Sequence, residues 1–222
     1  MTKKYSPKDV SGRIVARLAL YLGILKDLEK VQPEINSIEL AQRMNTTAVQ
    51  VRKDLSTFGE FGVRGKGYSV SALIREIESI LGIDKENEVI LIGYGHVGKM
   101  IACNTNVLGK GFKLTAVFDK DSRKIGKEIP NLNIKVSDAS KCLEYIEKNK
   151  VHTVILAINA EYAQVVANQL IHSGVEAILN MTASKLELNS NTAVVNADIS
   201  AKLKELNFWR INPELRGGIN FD

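Results

Sequence analysis

Val89-Ile90-Leu91-Ile92-Gly93-Tyr94-Gly95-His96-Val97-Gly98 decides the architecture of this 222-residue chain. Four apolar residues make a buried-strand run, and three glycines follow at GxGxxG spacing where a helical pattern opens. Asp119 stands 21 positions beyond Gly98, at the end of the next apolar run, Leu114 to Phe118. A lone GxGxxG carries little weight. A strand before it, a helix after it and an acid closing the next strand make a dinucleotide-binding fingerprint. Gly93 permits the tight turn, Gly95 lets backbone approach a pyrophosphate, and Gly98 lets helix and strand pack closely. The helix N-terminus, with Tyr94, His96 and Val97 around it, offers N–H donors and partial positive charge to phosphates. Asp119 is placed to accept from the adenosine ribose hydroxyls and disfavours a 2′-phosphate, so the expected ligand is NADH or NAD. Lys120 joins the candidate cofactor-binding residues, and with Arg123 it brings positive charge beside the acid. The same glycines would also suit a sheet that binds nothing.

Downstream, apolar runs and helical patterns alternate. Asn133–Val136, Thr153–Ile158, Ala177–Asn180 and Ala193–Val195 read as strands. The glycine-loop helix reads to about Val107. Ser137 opens a helix to about Asn149, and Glu161–Ser173 is another, closed by Gly174. Strands alternating with helices imply a parallel sheet covered on both faces. The expectation is an α/β chain with a Rossmann-like unit over residues 85–198, then a helical pattern and tail over 199–222.

Upstream, Ile14, Leu18, Leu22, Leu25 and Leu28 recur at helical spacing. Pro33 breaks the chain. Ser37 is expected to cap a short helix, Ile38 to Met44, ended by Asn45. Thr47 opens a third helix with Gln50 three residues on, a capping box. Short helix, turn, short basic helix is a helix-turn-helix. Its polar face would carry Thr47, Gln50, Arg52, Lys53, Ser56 and Thr57, while Ala48, Val49, Val51, Leu55 and Phe58 anchor the other side. Lys53 or Gln50 could reach base edges and Arg52 could hold phosphate. Phe61 to Tyr68 then reads as a glycine-punctuated hairpin whose tip carries Arg64 and Lys66. Helix-turn-helix plus basic hairpin makes residues 1–84 a winged-helix DNA-binding domain, ended by a helix over 72–81. A solvated basic helix in an interaction module is the plainer alternative.

Composition supports this division. Lys+Arg total 30 against 25 Asp+Glu. Residues 1–85 carry a net +4 and residues 86–222 a net +1, so the excess lies with the proposed DNA reader. No apolar run approaches the ~20 residues of a membrane span, and no signal peptide is expected. Cys103 and Cys142 make neither a disulfide framework nor a metal site, which suits free thiols in a reducing cytoplasm. A dehydrogenase needs an acid or base beside its nicotinamide. His96 lies in the glycine loop, while His152 and His172 read as surface residues. No Tyr-x-x-x-Lys pair or metal-ligand cluster appears, and only 24 residues follow the dinucleotide unit. A non-catalytic role is expected, with a small dehydrogenase carrying an added domain as the lesser alternative.

The run Val51-Arg52-Lys53-Asp54-Leu55-Ser56-Thr57-Phe58-Gly59-Glu60-Phe61-Gly62-Val63-Arg64-Gly65-Lys66-Gly67-Tyr68 carries a resemblance. With Phe118-Asp119, Ala163-Gln164, Ile178-Leu179-Asn180 and Asp198, it resembles the Rex family of bacterial redox-sensing repressors, from about Ser11 to Phe208. The resemblance implies a homodimer on palindromic operator DNA, a C-terminal dimerisation helix (about Ile199 to Ile211) exchanged between subunits, and release by NADH. It adds Tyr68 to the DNA-binding set and makes Asp198 a coupling residue. The chain departs from the family pattern at Gly23, where members carry arginine, and at Asn104, where they carry tyrosine. It also departs at Ile158-Asn159-Ala160 and Asn180-Met181-Thr182-Ala183. A DNA-binding relative with a weakened or altered nucleotide response is therefore the second reading.

Overall fold

The computed structural model describes residues 10–62, 67–188 and 191–216. They form two compact units, one from residues up to Lys85 with Phe208 onward, the other Glu86–Asn207.

In the first unit, α1 (Gly12–Leu28) starts where Ser11 accepts from the Ile14 N–H. It buries Leu18, Tyr21, Leu22, Leu25 and Leu28 along one face, as the 3.6-residue period requires. After Pro33 comes β1 (Glu34–Ile35), then α2 (Ser37–Arg43) and α3 (Ala48–Ser56). Asn36, not Ser37, caps α2, because its Oδ1 accepts from both Ile38 and Glu39 N–H groups at 2.9 Å. Asn45 adopts a left-handed φ of 49° and ends the turn. Thr47 caps α3 by accepting from the Gln50 N–H at 3.1 Å. The reciprocal half of the capping box does not form, since the Gln50 side chain turns to Asp54 instead. β2 (Tyr68–Ser69) pairs antiparallel with β1, Ile35 opposite Tyr68. Tyr68 thus pairs with Ile35, a residue far back in the chain, while Gly62 lies against Gly67 and Tyr68, where an added Cβ would meet the Gly67 carbonyl oxygen at 2.6 Å. The hairpin tip, with Arg64 and Lys66, lies outside the described residues. Ser69 caps α4 (Val70–Ile80), two residues earlier than expected, and the core closes around Leu25, Leu40, Leu55, Leu73 and Ile77.

In the second unit the elements are β3 (Asn87–Ile92), α5 (His96–Cys103), β4 (Phe112–Asp119), β5 (Val136–Asp138), α6 (Cys142–Asn149), β6 (Thr153–Leu156), α7 (Ala160–His172), β7 (Ala177–Asn180) and β8 (Ala193–Asn196). α8 (Ile199–Ile211) follows. The sheet runs β5-β4-β3-β6-β7-β8, parallel throughout. This is the Rossmann strand order, which reverses direction between β3 and β6. Separate apolar clusters cover the two faces, one with Phe118, Val154 and Leu170, the other with Leu91, Val117 and Ile155.

Three boundaries differ from expectation for local reasons. α5 stops at Cys103 because Asn104 leaves helical geometry (φ −137°, ψ 70°) and a 3₁₀ turn, Thr105–Leu108, follows. The third strand begins at Val136, not Asn133. Asn131 sits at φ 65° and Ile129 donates to the Ile134 carbonyl at 3.1 Å, so that segment is a turn. α6 begins at Cys142 because β5 runs on to Asp138, which accepts from the Ser140 N–H and opens a 3₁₀ turn first. Among the described residues no helix is long and apolar enough to cross a membrane.

Candidate nucleotide cleft and nucleic-acid interface

The strand-order reversal leaves a crevice at the carboxyl ends of β3 and β6, where open α/β sheets bind ligands. A cavity of about 500 Å³ occupies it, lined by Gly93, Gly95, Asp119, Lys120, Asn159 and Tyr162 among others. Two of the glycines are required by close packing. Gly93 has φ 99°, and a Cβ there would strike the Ala157 carbonyl oxygen. A Cβ on Gly98 would strike the Gly93 carbonyl oxygen, so α5 packs on the turn only with glycine. At Gly95 an added Cβ would meet no atom within 4 Å, which leaves its backbone open to a ligand.

Asp119 closes β4 with only 7% of its surface exposed. Its Oδ2 accepts from the Tyr94 N–H at 2.6 Å and from Lys124 Nζ at 2.9 Å, and its Oδ1 accepts from the Asp121 N–H at 2.8 Å. Burial works against the charge, but these three donors outweigh it and hold the carboxyl below its ordinary range. An ionised carboxylate has about four acceptor positions, so one remains, on Oδ1. Lys124 was not singled out by sequence; its i+5 spacing from Asp119 gives no periodic signal. Arg123 instead pairs with Asp121 at the surface. Lys120 Nζ lies 3.7 Å from the centre of the Tyr162 ring, across the cleft from β4 to α7. Tyr162 also escaped the sequence reading, because α7 is far along the chain and one aromatic in a helical pattern has no distinctive spacing.

The remaining loop residues divide. Tyr94 turns its side chain into the core, its hydroxyl 3.6 Å from Cys103 Sγ, so it faces the site by backbone alone. Burial pushes that phenol up to about 12, with Cys103 adding to the shift. His96 and Val97 are exposed in the first turn of α5. Cys142 is a buried free thiol, pushed up to about 12 by burial.

On α3, Val51, Asp54 and Leu55 face inward. Thr47, Arg52, Lys53 and Ser56 are exposed, Thr57 is half-buried, and Tyr68 is half-buried against the core. Arg52 Nη1 donates to Ser37 Oγ at 2.8 Å. The hydroxyls of Ser56 and Thr57 donate to the Lys53 carbonyl at 2.9 and 3.0 Å, closing the helix end. Val49 does not anchor the inner face as expected; it is 66% exposed. Positions 49, 52, 53 and 56 share the outer face at i, i+3, i+4 spacing, while 51, 55 and 58 take the inner one. Asp54, buried at 0% exposure, accepts from Arg17 Nε at 2.6 Å, Arg17 Nη2 at 2.7 Å, Tyr21 OH at 2.8 Å and Gln50 Nε2 at 2.7 Å.

Asp198 is exposed and caps α8, its Oδ1 accepting from the Ala201 N–H at 3.1 Å. The departing stretch at the end of β7 is a closed turn. Asn180 Oδ1 accepts from the Thr182 N–H and hydroxyl at 3.1 and 2.7 Å, and Asn180 Nδ2 donates to the Ser184 carbonyl at 2.7 Å. α8 exposes Ile199, Leu203, Leu206, Phe208 and Ile211.

A Rossmann unit with an acid-closed cleft and a helix-turn-helix unit with a cationic outer face define the class: a dinucleotide-binding fold joined to a DNA-binding fold in one chain. Residues 9–56 match the family model described as "Putative DNA-binding protein N-terminus", and residues 84–184 match a CoA binding domain model. The chain is 38% identical over 212 residues to the redox-sensing transcriptional repressor Rex of Caldicellulosiruptor saccharolyticus, covering 95% of each. It is 40% identical to the redox-sensing transcriptional repressor Rex 1 of Thermotoga maritima, covering 91% of this chain and 94% of that protein. A crystal structure of RSP in complex with beta-NAD+ and operator DNA matches with TM-score 0.85 at 34% identity, over 92% of this chain and 94% of that one. RSP in complex with beta-NADH matches with TM-score 0.83 at 33% identity, over 92% of this chain and 95% of that one. The chain belongs to the Rex family of redox-sensing transcriptional repressors.

Proposed function

We propose that this protein is a cytoplasmic repressor that binds palindromic operator DNA as a homodimer and leaves it when NADH binds, so that it reports the NADH/NAD ratio. The observation that carries the reading is Asp119: ionised, held by three donors, left with one acceptor position, and part of the lining of a glycine-turn cleft. That position takes one ribose hydroxyl. Its negative charge disfavours a phosphate on that ribose, which sets NADH apart from NADPH and from coenzyme A. The α5 N-terminus, from Gly95 through His96, Val97 and Gly98, gives N–H groups to the pyrophosphate. Lys120 and Tyr162 form the wall against the adenine. NADH supplies the redox signal when bound, and no catalytic acid or base is needed for sensing, so the role is non-enzymatic.

Residues 1–84 form the DNA-binding domain, 85–198 the NADH-binding domain and 199–222 the dimerisation helix and tail. α3 enters the major groove with Thr47, Gln50 and Lys53 towards bases, and Val49 suits a thymine methyl. Arg52, Ser56, Thr57, Arg64, Lys66 and Tyr68 hold or line the phosphate backbone. The large apolar residues that α8 exposes around its circumference, Ile199, Leu203, Leu206, Phe208 and Ile211, suit contact with a second copy of the chain. Linkage then makes operator DNA weaken NADH binding by the same factor that NADH weakens DNA binding.

A second reading is favoured by one observation. Asp198 engages the α8 N-terminus, while Gly23 and Asn104 lack the arginine and tyrosine with which the family resemblance would network it. In that reading DNA binding persists and nucleotide control is weak. Operator binding titrated separately with NADH and NAD⁺ at one fixed salt concentration tests both. Release by NADH but not NAD⁺ supports the first; equal operator affinity in all three conditions rejects it for the second.

A further inference from the structure

We propose that Gln50 reads one adenine in each operator half-site, and that Asp54 is the positioning residue that fixes which edge of the Gln50 amide is presented. The inference rests on the repressor reading above and adds a base identity to it.

An ionised carboxylate donates nothing and has about four lone-pair positions. At Asp54 four donors use them: on Oδ1, Arg17 Nη2 at 2.7 Å and Gln50 Nε2 at 2.7 Å; on Oδ2, Arg17 Nε at 2.6 Å and Tyr21 OH at 2.8 Å. The site is buried, with Asp54 fully enclosed. The Gln50 carbonyl oxygen could not take the place of its nitrogen, because two acceptors would then face each other without a proton. The amide flip, ambiguous for most glutamines, is therefore determined by the network. Burial alone would raise the Asp54 pKa, but the Arg17, Tyr21 and Gln50 donors outweigh it, so the carboxylate stays charged and the flip stays fixed.

With one N–H committed to Asp54, the amide keeps its carbonyl oxygen and one N–H. Gln50 sits in the first turn of α3, three residues after the Thr47 cap, and its backbone is held by that cap. The first turn of a recognition helix is the part that meets base edges. In the major groove adenine shows an N6 donor beside an N7 acceptor, which complements an acceptor and a donor on one amide. Guanine shows two acceptors, thymine an acceptor and a methyl group, and cytosine a donor alone. Only adenine satisfies both remaining amide groups.

The test is selection from a randomised DNA duplex library with the full chain, the Gln50→Ala variant and the Asp54→Asn variant, at one salt concentration. The wild-type chain is expected to select a palindrome with one adenine per half-site whose replacement by guanine weakens binding tenfold or more. Gln50→Ala should lose that preference and keep the others. In Asp54→Asn the side chain at 54 can face Gln50 with either amide group, so the flip is released and guanine becomes acceptable at that position. Circular dichroism checks that each variant is folded, and Gln50→Ala decides alone if Asp54→Asn is not. A consensus that Gln50→Ala leaves unchanged, or weakens uniformly at every position, overturns the inference while leaving the repressor reading standing. A wild-type chain that selects no consensus overturns both.

Discussion

Two buried aspartates, Asp54 in the helix-turn-helix unit and Asp119 in the Rossmann unit, face opposite tasks with the same chemistry. Both are held below the ordinary carboxylate range by donors that outweigh burial. Asp54 meets four donors and has no acceptor position left; Asp119 meets three and has one. Two of the three on Asp119 are backbone N–H groups from its own neighbourhood, Tyr94 and Asp121. Those on Asp54 all come from side chains, most of them on α1. A saturated carboxylate clamps helices together; an unsaturated one at a strand end can still take a ligand. The pKa shifts alone would not distinguish them.

The largest expected effect tests the clamp. Asp54→Ala removes the carboxylate that accepts from Arg17 Nε, Arg17 Nη2, Tyr21 OH and Gln50 Nε2, and breaking a buried ion pair from one side costs about 3–5 kcal/mol. Chemical denaturation should show that loss; a change below ~1 kcal/mol would mean the network is not a clamp. Asp119→Ala should reverse the ranking. Removing a charged hydrogen-bond partner costs roughly 1.5–3 kcal/mol, and here the loss should fall mainly on NADH affinity, measured by isothermal titration. If stability drops and affinity does not, Asp119 is a clamp too. Tyr162→Ala should weaken an adenine-bearing ligand such as ADP-ribose by roughly 1–3 kcal/mol if the base stacks on the ring. Nicotinamide mononucleotide binding should be unchanged; equal losses on both ligands would remove Tyr162 from the adenine wall.

The pH response is common to both aspartates. A depressed folded pKa adds stability at pH values above the unfolded carboxyl pKa, about 3.9, and that stability is lost as pH falls through the folded value. Unfolding free energy should therefore be flat from neutral pH down to about 5 and fall below about 4. Asp54→Asn should flatten the acid limb more than Asp119→Asn, since Asp54 holds more side-chain partners; the opposite order would break the comparison. The smallest effect belongs to Arg123, whose partner Asp121 it holds down to about 2 at the surface. Arg123→Ala should move neither NADH affinity nor the melting temperature, and a clear loss of affinity would bring it into the cleft.

The legible and illegible parts of these sites separate by sequence distance. The glycine turn, β3 and Asp119 could be read because their constraints are local: a strand, a turn that excludes Cβ atoms, and an acid at the next strand end. Lys124 and Tyr162 could not, since one contacts Asp119 at irregular spacing and the other arrives from α7. The inner and outer faces of α3 are mostly legible from periodicity; Val49 is apolar, but its helical angle turns it outward. Half of the Thr47–Gln50 capping box forms. A buried carboxylate one turn on is a stronger acceptor for the Gln50 amide than the local alternatives, and Arg17 and Tyr21 of α1 reach that carboxylate.

From sequence alone came the alternation of strands and helices in the second unit, the need for glycine in the turn after β3, the cation excess in the first block and the family resemblance. Each of these depends on neighbours in the chain or on composition, and no packing is required to see it. The tertiary structure decided which groups share a carboxylate. Arg17 and Tyr21 reach Asp54 across 37 and 33 residues, and Tyr94 reaches Asp119 across 25. Hydrogen-bond saturation is a property of the folded arrangement, and it is what makes one aspartate a clamp and the other a candidate ligand contact.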